Sequence, residues 1–192
     1  HTISRRQRQM CIRDREILPH IKEVPIFVAG GIGRGEIILK FLQLGAAGCQ
    51  IGTRFVCANE SIAHSKFKNI FIKSEARNAQ ISVKIDDRLP VIPVRAIENS
   101  ATQNFISEQK KLINLVEKKE ISLKDAQLSI EHFWAGSLKK AVIDGDVESG
   151  SLMAGQSVSL VKKLQSVSEI FNELTQQMKS QINFEQKDSN NG

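Results

Sequence analysis

The residues best placed for chemistry are glycines. Val28-Ala29-Gly30-Gly31-Ile32-Gly33 and Gly48-Cys49-Gln50-Ile51-Gly52-Thr53-Arg54-Phe55 are two short glycine turns. Glycine lets backbone N–H groups approach an anion closely, and a helix N-terminus that follows adds the positive end of its dipole. Each turn follows a short apolar run that predicts a buried strand: Ile26-Phe27-Val28-Ala29, then the run ending at Ile51. Between them Arg34 to Leu44 predicts a helix, with Ile37, Ile38, Phe41, Leu42 and Leu44 on an apolar stripe and Gly45 as its stop. The order is strand–turn–helix–strand–turn–helix, with a glycine at each strand's C-terminal end. Two such turns side by side form one phosphate cup, which in (β/α)₈ barrels sits after strands 7 and 8.

A dinucleotide-binding loop is the obvious competitor. Its fingerprint is G-x-G-x-x-G opening a helix, with an acidic residue further on. In Gly31-Ile32-Gly33-Arg34-Gly35-Glu36, Glu36 stands where the third glycine belongs. Gln50 and Thr53 replace the acidic residue at the end of the second strand, and no glycine–lysine phosphate loop occurs. A single glycine after a strand is an ordinary turn; the tandem at one-unit spacing favours phosphate binding.

Other reactive groups form no constellation. His1, His20, His64 and His132 have no Cys, Ser or carboxylate at a spacing that suggests a triad. Cys11, Cys49 and Cys57 show no metal spacing, and Cys49 on the second strand predicts a buried thiol. Asp144-Gly145-Asp146-Val147-Glu148 alternates carboxylates, but Ser149 and Gly155 occupy the positions where a calcium loop needs glycine and glutamate. Asp86-Asp87 predicts a turn.

Four blocks carry a resemblance in order along the chain. They are the two glycine turns with Leu44-Gly45-Ala46; Pro93-Val94-Arg95-Ala96-Ile97; Ala141-Val142-Ile143-Asp144-Gly145-Asp146-Val147-Glu148; and Gly150-Ser151-Leu152-Met153-Ala154-Gly155-Gln156. From about Ile17 to Gln177 the chain resembles the nitronate monooxygenase (2-nitropropane dioxygenase) family, whose superfamily includes the flavin-dependent enoyl-acyl-carrier-protein reductases. The resemblance implies an α/β chain: the last two βα units of a flavin-binding TIM (β/α)₈ barrel, followed by a mostly helical C-terminal cap.

It also implies FMN as cofactor, with its phosphate on the N–H groups of Gly30, Gly31, Gly52 and Thr53 and backbone contacts from Gln50 and Ile51. Met153, Ala154, Gly155 and Gln156 correspond to a block near the flavin or substrate pocket; a helix N-cap at Ser151 with ordinary packing is the alternative. Arg95 is either an anion contact or a buried ion-pair partner. The family's catalytic histidine lies in a Gly-Gly-His turn on an earlier strand, and this sequence has no such turn. The expected activity is oxidation of an alkyl nitronate with O₂. An FMN- and NAD(P)H-dependent enoyl reductase is the alternative, and a non-catalytic helical interaction module is the second.

Composition bounds the partners. The 192 residues carry a net charge of +6, with a pI near 9.3. Half of that excess lies in residues 1–16, where five arginines face Asp14 and Glu16. Lys118-Lys119, Lys139-Lys140 and Lys162-Lys163 are isolated pairs that predict solvated helix faces, not a nucleic-acid patch. Tyr is absent and Trp occurs once, which leaves no stacking platform. No apolar run is long enough to span a bilayer, and a cytoplasmic enzyme acting on a small-molecule substrate is expected. Residues 1–16 fit poorly: Met10-Cys11-Ile12-Arg13-Asp14-Arg15 resembles a translated sequencing adapter, with a basic leader as the alternative. Against a barrel of roughly 250 residues, the chain is expected to be the C-terminal portion of a larger enzyme.

The elements that must hold these blocks follow from pattern. The expected division is 17–58 for the βα units, 59–182 for the cap and 183–192 for a disordered tail. Within the cap, Asn59 to about Asn78 predicts a helix with Ile62, Phe67, Ile70, Phe71 and Ile72 as core. Gln80–Ile85 and Val91–Ile97 predict extended segments, the latter limited by Pro90 and Pro93. Helices are predicted from Thr102 to about Lys119, from the Ser122-Leu123-Lys124-Asp125 capping signal to about Ile143, and from about Leu152 to Lys179. Ile26, Val28 and Cys49 are expected to face the barrel interior, with the 80–85 segment as a possible neighbour of the two strands.

Overall fold

Alternation in the first strand and the stripe of the first helix lock together. The computed structural model describes residues 16–20 and 23–190. Strand β1 (Phe27–Ala29) and strand β2 (Gly48–Gln50) pair in parallel, connected through helix α1 (Gly35–Gln43). Leu18, Val28, Ile32 and Ala46 are buried, and Ile26, Ile38, Phe41, Leu44, Cys49 and Ile51 pack against them. Val28 therefore packs with α1. This corrects the expectation that Ile26, Val28 and Cys49 face a barrel interior. Side chains alternate across a strand, so the other face carries Phe27, 65% exposed, and Ala29. Ile37 and Leu42, expected on the stripe, are exposed.

Helix α2 (Thr53–Val56) is a single turn after β2. The chain divides at its end into two compact units, one running through Phe55 and resuming at Ser166, the other spanning Val56–Gln165. The first unit is completed by helix α6 (Val167–Asn190), which buries Ile170 and Leu174 and lies directly on α1. A Cβ on Gly35 would come within 2.1 Å of the Leu174 carbonyl oxygen, so only glycine allows this approach. The C-terminal stretch thus belongs with the βα units and not, as expected, with a continuous 59–182 cap.

The predicted helix from Leu152 to Lys179 is not formed. Leu152–Met153 is strand β5, Gln156–Leu160 is a 3₁₀ turn, and α6 begins only at Val167. Its start is a reciprocal cap: Ser166 Oγ accepts the Glu169 N–H, and the Glu169 carboxylate accepts the Ser166 N–H at 2.6 Å. The helix also continues past the expected tail boundary to Asn190. Lys40, Gln43 and Gln181 all donate to the Glu185 carboxylate and hold the 183–188 stretch in place.

The second unit is built on a three-stranded antiparallel sheet. Strand β3 (Ala79–Ile81) pairs with β4 (Arg95–Ile97), and β4 pairs with β5. The 80–85 segment is thus committed to this sheet and does not extend the β1–β2 pair. Its strand is short for a physical reason: the Gln109 side chain takes the Ile85 N–H and donates to the Val83 carbonyl, replacing ladder bonds. Helix α3 (Ser65–Lys73) is shorter than predicted. Lys68 is buried and donates to the carbonyls of Ala58 and Ser61, which fixes the preceding residues as a loop. Phe67 and Phe71 are core as expected, but Ile62 is 86% exposed. Helices α4 (Ser100–Glu117) and α5 (Leu123–Val142) enclose a second cluster of Leu89, Val91, Phe105, Leu112, Ile113, Ala126 and Ile130.

Candidate functional site

The register of the parallel pair sets the site. Ala29 lies opposite Gln50, so the two strands end level. Gly30-Gly31 and Ile51-Gly52-Thr53 therefore leave the same edge of the sheet. Gly30 and Gly31 adopt φ of +96° and +72°, a region that suits glycine, and both are exposed. Val28 before them and Ile32 after them are buried. The first turn is thus anchored at both roots with bare backbone at its tip.

Gly52 is glycine for a different reason. It is not among the positive-φ residues, and an added Cβ would have nothing within 4 Å. Neither its own conformation nor a neighbour in the chain demands glycine. Bare backbone facing open space, level with another glycine turn, is what close approach of an anion requires. The single turn α2 starts at the next residue, Thr53.

The helix after the first turn does not offer its end in the same way. The Gly35 N–H, the first of α1, donates to Gln177 Oε1 at 2.7 Å. Arg34, the N-cap residue, pairs with Glu36 at 2.7 Å on the surface, and that guanidinium holds the Glu36 carboxyl below its ordinary range. The leading N–H of the helix that follows the first turn is thus satisfied within the protein, while Gly30 and Gly31 stay exposed.

Arg54, in the second glycine motif, joins the two turns to helix α6. It is 4% exposed. Nη1 donates to the Gly33 carbonyl at 3.2 Å, and the guanidinium forks onto Glu173 at 3.1 and 2.8 Å. Phe55 packs on Phe171 of the same helix, with ring centroids 5.5 Å apart. The motif offered one signal for this, an arginine beginning a helix that follows a buried strand. Its partner lies 119 positions away.

The predicted substrate-side residues lie in the second unit. Met153 is in β5 opposite Ala96, Ala154 is buried with its N–H on the Arg95 carbonyl, and Gly155 and Gln156 open the 3₁₀ turn. Ser151 is not a helix N-cap; its N–H donates to the Ser137 carbonyl. The Arg95 guanidinium donates to the Ala79 carbonyl across β3, and burial lowers its pKa, so its role is structural through backbone and not through the ion pair considered above. A groove of about 280 Å³ runs between the 90–94 segment, Phe105 and Trp134 in the same unit.

Of the described thiols Cys57 is buried, and Cys49, expected to be buried, is half-buried. His64 caps α3, its Nδ1 accepting the Lys66 N–H at 3.2 Å, while His20 and His132 are exposed. Burial pushes the Cys57 thiol up to about 11 and raises Cys49 as well. The Asp146 carboxylate accepts the Ser149 N–H, a turn and not a metal loop, and no cluster of metal-ligating side chains occurs among the described residues. His1 and Cys11 lie outside the described residues. No helix among those described is long and apolar enough to cross a membrane.

Comparison with known proteins adds the family. The model described as nitronate monooxygenase matches residues 14–177. A probable nitronate monooxygenase of Staphylococcus saprophyticus is 28% identical over 128 residues, covering 62% of this chain and 34% of that protein. Among solved structures, FabK from Thermotoga maritima superposes with a TM-score of 0.69 at 25% identity, covering 91% of this chain and 50% of FabK. A nitroalkane oxidase from Streptomyces ansochromogenes gives 0.61 at 20% identity, covering 94% and 47%. The chain thus spans about a third of the length of the curated relative and about half of each solved chain.

Proposed function

Because the chain belongs to the nitronate monooxygenase family, we propose that it supplies the phosphate cup of an FMN-dependent oxidoreductase that oxidises alkyl nitronates with O₂. The observation that carries this reading is Gly52, a bare backbone position facing open space and level with Gly30-Gly31. The N–H groups of Gly30, Gly31, Gly52 and Thr53 would hold the phosphate, and the backbone of Gln50 and Ile51 would lie at the strand ends beside the cofactor. When bound, FMN supplies the redox chemistry between the nitronate and O₂. The chain's own part is to bind and orient it. Arg54 holds the two turns, and the exposed Gly30, Gly31 and Gly52 present backbone donors without side chains in the way.

The general base is not assigned to this chain. It has no Gly-Gly-His turn, and His64 already caps a helix. Met153, Ala154, Gly155 and Gln156 of the second unit are proposed as substrate-contacting residues, with a small nitronate as the partner. The protein is proposed to act in the cytoplasm, without nucleic acid or membrane.

Titration of FMN with the purified chain, followed by flavin fluorescence quenching, tests the cup directly. Saturable binding that riboflavin does not match supports it; equal or absent binding of both contradicts it. Oxygen uptake with propyl nitronate, compared with NADH oxidation in the presence of a crotonyl thioester, then separates nitronate oxidation from the enoyl-reductase alternative in an enzyme that carries the missing histidine turn.

A further inference from the structure

Arg54 is a buried cation bonded to both a turn and a helix. One bond goes to the carbonyl of Gly33, which closes the first glycine turn. Two more go to Glu173 on α6. Arg54 itself stands two residues beyond Gly52 in the second turn. A single side chain therefore ties the root of one turn to the body of the other. The planar guanidinium suits this because its fork fixes direction as well as distance.

Glu173 is itself held in place. Its neighbours Ile170 and Leu174 are buried, and Gln177, one turn on, donates to its carboxylate at 3.3 Å while accepting the Gly35 N–H. The chain of bonds Gly33–Arg54–Glu173–Gln177–Gly35 thus closes a loop around the first turn and the start of α1. Every link in it is independent of any ligand.

We propose that Arg54 and Glu173 form a positioning latch: α6, through Glu173, sets the spacing of the two glycine turns and so tunes affinity for a phosphate monoester dianion. This rests on the phosphate-cup reading above. Arg54 acts here by position and not as a charge presented to the anion. The distinction has a sign. If Arg54 served as a cation for the phosphate, removing the Glu173 charge would unmask it and tighten binding. If it serves as a strut, the same change loosens the strut and weakens binding.

The test uses the 192-residue chain with FMN and riboflavin as probes, and the variants Arg54→Lys and Glu173→Gln. The Glu173 side chain is 40% exposed, its isosteric variant keeps an oxygen acceptor for Arg54, and a thermal melt of each variant establishes that it is folded. Both variants are expected to lower FMN affinity about tenfold, the scale of one lost charge-assisted hydrogen bond, while leaving riboflavin binding unchanged. Hydrogen exchange without flavin is expected to quicken at residues 30–35 and 52–55 in both. Tighter FMN binding by Glu173→Gln overturns the latch in favour of a charge role. Unchanged FMN affinity in both variants also overturns it. A wild-type chain that does not prefer FMN to riboflavin instead overturns the cup, and the proposed tuning falls with it.

Discussion

Gln177 accepts the backbone N–H of Gly35 at 2.7 Å, so the first helix of the glycine unit is capped by a residue 142 positions further along. That bond does two things. It satisfies the leading donor of α1, and it docks α6 where Gly35 has no Cβ to obstruct it. Gly35→Ala would bring a methyl group to 2.1 Å from the Leu174 carbonyl. Backbone cannot yield as a flexible side chain can, so the variant should lose about 3 kcal/mol of stability. Gln177→Ala should lose about 1 kcal/mol, as for a removed cap. Denaturant melts of both check this; equal losses would show that the packing, and not the cap, has been misjudged.

Acid should loosen the far end of α6. Lys40 is the leading cause, with Gln181 and Gln43, of a Glu185 carboxyl held near about 2 instead of its ordinary 4.5. A carboxyl with a depressed folded-state pKa contributes stability that is present above the unfolded value and lost as pH falls through the folded one. Fraying of residues 181–188 is therefore expected as pH drops from about 4.5 toward 2. Lys40→Ala should show the frayed state already at neutral pH. Amide exchange of α6 measured against pH decides it; a pH-independent pattern in both proteins would contradict the pairing.

The first sheet should drive self-association. Among the described residues β1 pairs only with β2, and Phe27 stands 65% exposed on the face away from α1. Unpaired edges and an exposed apolar face invite pairing with other chains. Size-exclusion chromatography over a concentration series should show growing assemblies, reduced by Phe27→Lys. A monodisperse monomer at every concentration would count against this.

The purified chain should turn over neither propyl nitronate nor a crotonyl thioester with NADH, even with FMN added. It contains no Gly-Gly-His turn, and its described histidines are a helix cap and two surface residues. Rates above free-flavin background in either assay would show that a base within these 192 residues had been overlooked.

The glycine unit was largely legible because its signals are local. The apolar run ending at Ala29, the helical period from Ile38 to Leu44 and the stop at Gly45 all lie within one βα repeat. The C-terminal helix starts later than its pattern predicts because Gly150-Ser151 and the small residues after it imitate a helix start. Ala154 instead donates to Arg95 in a sheet, and the Ser166–Glu169 capping box, visible as S-x-x-E, marks the actual beginning. The facing of Val28 is not legible in the sequence because a strand of three residues has too few positions to tell its two faces apart. Arg54 and Glu173 were unreadable as a pair, since no periodicity links residues so far apart. Lys68 shows the same limit: a lysine in a helical pattern predicts a solvated face, yet here it closes a loop from within.

The central claim is that Gly52 is kept bare for a ligand's phosphate and not for the fold. Gly52→Asp tests it most directly, by measuring stability and FMN binding on the same preparation. With nothing within 4 Å of its Cβ, the substitution should change stability by no more than about 0.5 kcal/mol, as for a surface site. It should abolish the preference for FMN over riboflavin, because a carboxylate then stands against the phosphate. A well-folded Gly52→Asp chain that binds FMN as tightly as the wild type would contradict the account.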